Sequence, residues 1–159
     1  MSAILGGRAK PGDAAECLVL AEVCRLKQQH AAAVRFYADA FKADPKLADD
    51  PQAHHRYNAA CCAALAAAGR GQDAAARAER KQALAWLGAD LDAWSRQTID
   101  GNPRDRADAA AALRHWQGDA DLRGVRHPWS LLRLPGDERR RWQTLWAEVD
   151  ELLKKAAKD

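Results

Sequence analysis

An all-α domain is predicted by three features of the sequence. Hydrophobic residues make up 48% of the chain, but alanine supplies much of that share, and Phe and Tyr contribute only two residues each. Bulk therefore comes from Leu and from six Trp. The best helix former combined with a few large anchors suits closely packed helices. Apolar residues also recur at helical spacing, most clearly at Trp142, Leu145, Trp146, Val149, Leu152 and Leu153. Proline and glycine punctuate the chain between such stretches, at Pro45, Pro51, Gly69 to Gly71 and Gly101 to Pro103.

Residues 1–12 are short of apolar period and are expected to form a frayed leader, with 13–159 forming one domain. Asp13 caps a first helix over about 14–28, whose apolar stripe is Cys17, Leu20, Ala21 and Cys24. The second helix begins at His30 or Ala31 and stops before Asp44-Pro45, because proline disfavours helical geometry in the residue before it. Asp49-Asp50-Pro51 combines a carboxylate cap with a first-turn proline, so a third helix is expected from Pro51 to Ala68. Gly69-Arg70-Gly71 closes it. A long fourth helix follows from about Asp73, with Leu84, Leu87, Leu91 and Trp94 as its buried seam, and Gly101-Asn102-Pro103 ends it. A fifth fits Arg104 to Gln117. The stretch from Asp119 to Pro135 is too apolar for a free linker, and it is expected to lie back across the helices with a short helix near Pro128 to Leu132. The final helix opens at Asp137, and its Trp142 to Leu153 stripe reads as a cap on the stack.

Chain length and charge narrow the function. At 159 residues the chain buries roughly two-thirds of its unfolded surface, so disulfides are unnecessary. Net charge is +3 with both signs interspersed, which does not indicate nucleic-acid binding. The densest basic run, Arg139-Arg140-Arg141, reads as a solvated helix face, with an acidic partner or phosphate contact as the minority reading. No apolar stretch approaches the roughly 20 residues of a membrane span and no signal peptide is visible, so a cytoplasmic location is expected.

Catalytic chemistry is not signalled. There is no phosphate-cradling glycine loop, no HExxH and no GxSxG. Serine occurs only at Ser2, Ser95 and Ser130. Asp90 with Asp92, or Asp119 with Asp121, can be drawn as carboxylate pairs, but acids near helix ends are common. Cys17, Cys24, Cys61 and Cys62 lack CxxC spacing and read as buried small apolar residues, with no metal or other cofactor expected. If the first and third helices pack side by side, Cys61 approaches Cys24. Trp94, Trp116, Trp142 and Trp146 fall on apolar stripes and are expected in the core, whereas Trp86 and Trp129 are off-stripe candidates for interaction anchors.

The run from Ala15 to Pro45 and the stretch Tyr57-Asn58-Ala59-Ala60-Cys61 read as successive copies of one helical-hairpin pattern. In the first copy Ala21, Ala33 and Ala40 allow close helix approach, Tyr37 and Phe41 fill the space beside them, and Lys27-Gln28-Gln29 breaks the helices. This resembles the tetratricopeptide repeat (TPR), a helix-turn-helix unit of about 34 residues that ends in a helix-stopping proline. The resemblance covers residues 14–95. Beyond it, Asp119 to Leu122 with Gly124-Val125-Arg126 resembles the ending of a degenerate repeat. In style the chain is similar to the repeat-bearing C-terminal regions of some large bacterial serine/threonine kinases.

The resemblance implies antiparallel hairpins stacked as a short solenoid with a C-terminal capping helix. It also implies a protein or peptide partner on a concave face, and no enzymatic activity. The groove residues it points to are Leu18, Glu22 and Arg25 on the first helix, and His54, Tyr57, Asn58, Cys61 and Leu65 on the third. Asn58 matches an asparagine that hydrogen-bonds ligands in peptide-binding members, or else bridges adjacent helices. The basic companions of a carboxylate-clamping groove are missing. A small-ligand binder or enzyme using a Trp-lined pocket between the fourth helix and residues 119–135 is the alternative.

Overall fold

A computed structural model describes residues 12–157, and among them the fold is all-α, with nine helices and no strand. The expected leader lies outside the described residues except for Gly12, whose N–H donates to Glu16. Helix α1 spans Ala14–Leu26 and is capped by Asp13, whose carboxylate accepts the Glu16 N–H at 2.8 Å. It ends where Gln28 takes a left-handed conformation with φ of 56°, which lets the Gln29 N–H return to the Cys24 carbonyl. Helix α2, His30–Ala43, stops at Asp44-Pro45 as the sequence predicts.

The next segment corrects the expected third helix. Asp50 caps the chain at Pro51, but only a 3₁₀ turn over Pro51–Ala53 forms, after a short helix α3 at Lys46–Asp49. His54 then adopts a left-handed backbone with φ of 59°, and helix α4 begins one residue later, at His55–Ala68. A proline and a cap announce a helical turn; they do not fix how far it continues.

Helix α4 is the centre of the fold. Ala59, Ala60, Ala63, Ala64, Ala66 and Ala67 are all buried, and side chains this small let α2, α5 and the 120–122 turn pack closely on different sides of it. Helix α5, Ala74–Asp100, is capped by Asp73 onto Ala76. Helix α6, Pro103–Gly118, starts with a reciprocal capping box between Asn102 and Asp105. The turn between them needs glycine: a Cβ on Gly101 would sit 2.0 Å from the Gln97 carbonyl oxygen.

A 3₁₀ turn at Ala120–Leu122 leads into α7, Arg123–Arg126, and α8, Pro128–Leu132. As expected, this segment lies back on the core through Leu122, Val125, Leu131 and Leu134. Helix α9, Gly136–Ala156, buries Trp142, Leu145, Val149 and Leu152 against α5 and α6. Packing follows chain order, α1 on α2, α2 on α4, α4 on α5 and α5 on α6, with α9 closing across the last two. No helix among the described residues is long and apolar enough to cross a membrane.

Candidate functional site

Helices α4 and α6 leave a cleft of about 590 Å³ between them, entered past Gln52 to His54. Tyr57 and Asn58 form one wall, Asp108, Ala111, Ala112 and His115 the other, and Trp94 and Trp116 lie at its base. His54, whose backbone is left-handed, is exposed and lines the cleft. The Tyr57 ring stacks on Trp116 with centroids 5.5 Å apart and planes at 12°, while His115 approaches Tyr57 edge-on at 5.7 Å.

Polar contacts fix this wall from behind. The Tyr57 hydroxyl donates to Asp119 Oδ2 at 2.6 Å, and His115 Nε2 lies 3.2 Å from the same oxygen. Asp119 Oδ1 accepts the Asp121 N–H at 2.9 Å and starts the 120–122 turn. Burial, with Cys61 and Asp119 adding to it, pushes the Tyr57 hydroxyl well above its ordinary range, so the hydroxyl keeps its proton. Cys61 Sγ lies 4.0 Å from Asp119 Oδ2, and burial followed by the Asp119 charge raises its thiol likewise.

Cys61, Asp119 and Asp121 offer ligand atoms within 4.8 Å of one another. The two Asp119 oxygens are already engaged by Tyr57, His115 and the Asp121 backbone, which accounts for the cluster by hydrogen bonding. Asp121 is exposed, and its own carboxyl is raised by burial and by Asp119. The other drawn carboxylate pair separates: Asp90 is buried against Arg56 at 2.7 Å, whereas Asp92 is exposed.

Of the residues the resemblance pointed to, His54, Tyr57 and Asn58 line the cleft. Tyr57 is only 6% exposed, so its polar end faces Asp119 and not solvent. Cys61, expected on the groove, is buried instead, because the 120–122 turn packs over α4 and brings Asp119 beside the thiol. Glu22 and Arg25 form their own network on α1: Arg25 Nε donates to Glu22 at 2.9 Å, and the Tyr37 hydroxyl on α2 donates to the other carboxylate oxygen. Burial opposes ionisation of Glu22, yet the bonds from Tyr37 and Arg25, the Arg25 charge and the Asn58 side chain together hold its carboxyl below the ordinary value. Leu18 packs against the core and Leu65 is half-buried.

The adjacent cysteines diverge. Cys61 meets Asp119, while Cys62, pushed up to about 12 by burial, feels Arg25, Glu22 and Cys24. Trp94, Trp116 and Trp142 are buried as expected, Trp86 packs edge-on against Phe41 at 5.9 Å, and Trp129 is 73% exposed. The α6 wall was missed from sequence. Asp108, Ala111, Ala112 and His115 recur at i, i+3, i+4 and i+7, a face of small and polar residues that signals a hollow when it stands opposite an aromatic.

No protein-family model matches this chain, and comparison with curated proteins and with solved structures finds no match either. The fold and the cleft therefore define a class only: an all-α domain with an open, partly aromatic interhelical cleft.

Proposed function

We propose that this domain binds a polypeptide segment in the cleft between α4 and α6, in the manner of a TPR-like interaction module. The observation that carries the reading is an open hollow of about 590 Å³ lined by the Tyr57–Trp116 stack and by Asp108 and His115. A rigid aromatic wall with a few polar groups suits a peptide contact in which few side chains dominate. Packing in chain order and the small-residue helix contacts support the repeat-like reading, and the kinase-borne repeats that the chain resembles suggest an accessory role. Binding without turnover is favoured because a nucleophilic cysteine needs a depressed pKa, whereas burial and Asp119 push Cys61 the other way. A small ligand is the second reading, carried by the cleft's volume and by Trp94 and Trp116 at its base.

Panning a displayed random-peptide library on the folded domain tests the proposal. Ala111→Trp fills the cleft from an exposed helical position, and Asn58→Ala removes a polar group from its wall. Enriched peptides should lose at least tenfold in affinity for Ala111→Trp and less for Asn58→Ala. Peptides that bind both variants like the wild type would remove the cleft from the proposal. Failure to enrich any peptide, together with a small-molecule screening hit blocked by Ala111→Trp, would favour the second reading.

A further inference from the structure

We propose that a second groove, between α5 and α9, docks an acidic amphipathic helical segment of another polypeptide. Two adjoining hollows of about 500 and 200 Å³ share Leu84, Asp137 and Arg141 and so make one continuous groove. Four cations stand along it, Arg77 and Lys81 on α5 and Arg140 and Arg141 on α9, and none of them forms an ion pair among the described residues. Arg140 and Arg141, two of the three residues of the basic run, thus stand on the α9 wall of this groove.

The spacing suits a helix as occupant. On α5, Arg77, Lys81, Leu84 and Gly88 share a face, and on α9, Asp137, Arg141, Leu145 and Glu148 do the same. Half-buried Leu84, shared by both hollows and flanked by these cations, gives an amphipathic helix an apolar contact in the groove. Gly88 leaves the wall open, since a Cβ there would meet nothing within 4 Å. Four cations left unpaired along one groove point to a ligand that brings negative charge.

Asp137 and Glu148 on the same groove decide against a uniform polyanion. They would repel nucleic acid or polyphosphate but tolerate a peptide whose acidic residues are interspersed with apolar and occasional basic ones. Pairing with Arg77, Lys81, Arg140 and Arg141 would give such a segment its orientation and would weaken with salt.

The test uses a displayed library of 16-residue peptides, depleted on Gly88→Trp before selection on the wild-type chain. Gly88→Trp places an indole in the groove while replacing a glycine inside a helix, so its melting temperature should equal or exceed that of the wild type. Should that variant fold poorly, Arg140→Glu/Arg141→Glu, at two exposed positions, serves for depletion instead. Surviving peptides should be rich in Asp or Glu with Leu, Ile or Phe at helical intervals. By fluorescence anisotropy they should lose at least tenfold in affinity for Arg140→Glu/Arg141→Glu, and they should bind Ala111→Trp unchanged, which separates this groove from the α4/α6 cleft. The proposal is overturned if no peptide survives depletion, if survivors lack acidic residues, if charge reversal leaves their affinity unchanged, or if polyphosphate competes as well as the peptides do.

Discussion

Tyr57 and Asp119, 62 residues apart in the chain, share a 2.6 Å hydrogen bond that ties the central helix to the turn after α6. The bond orients the aromatic wall of the cleft, because the ring that donates it is the one stacked on Trp116.

Tyr57→Phe keeps the ring and removes the donor, leaving a largely buried carboxylate with one partner fewer. We expect a loss of about 1–2 kcal/mol in urea unfolding, with the slope unchanged. Asp119→Asn combined with Tyr57→Phe should cost less than the sum of the two single changes. Additive losses would mean that the two groups do not interact in solution.

Asp90 gives the fold a pH dependence. Its side chain is 1% exposed, and burial outweighs the Arg56 guanidinium and raises its carboxyl from 3.8 to about 6. The native state therefore holds this proton more tightly than the unfolded chain. The stability it contributes is fully present below about pH 4 and is lost as pH rises through about 6. Across that window the stability of the wild type relative to Asp90→Asn should fall by on the order of 2–3 kcal/mol. A flat difference from pH 4 to 7 would show that Arg56 fully compensates the burial.

Arg80 and Glu138 join α5 to α9 as a buried ion pair, with side chains 4% and 14% exposed. Arg80 also donates to the Gly71 carbonyl at 3.1 Å and to Gln72 at 3.2 Å, so one guanidinium fastens the final helix to the α4–α5 turn. Glu138→Ala strands a buried cation and should cost about 3–5 kcal/mol, whereas Arg80→Met/Glu138→Leu should be close to neutral. Chemical denaturation of the single and double variants distinguishes these outcomes.

The final helix should show a graded response. Trp142 is wholly buried, and Trp142→Ala should cost about 3–5 kcal/mol. Trp146 is half-buried; its indole donates to the Val125 carbonyl at 2.9 Å and its face receives Arg126 at 5.8 Å. Trp146→Ala should lower the melting temperature less than Trp142→Ala. The reverse order would place Trp146, and not Trp142, at the centre of the α9 contact.

The all-α class and most helix boundaries are legible in the sequence, because caps, prolines and the 3.6-residue period act within a few residues of where they are read. Asp13, Asp73 and Asn102 cap the helices they precede, and Trp142, Leu145, Val149 and Leu152 of the final stripe are buried. What faces what was set by packing between distant parts of the chain. Tyr57 and Cys61 have the spacing of surface residues on a repeat helix, yet the 120–122 turn covers that flank and brings Asp119 to both. Asp90 and Asp92 look alike in sequence, but one meets Arg56 in the interior and the other meets water. An alanine-rich helix such as α4 has no strongly apolar stripe to fix its orientation, so its exposed and buried faces are set by the partners that close around it.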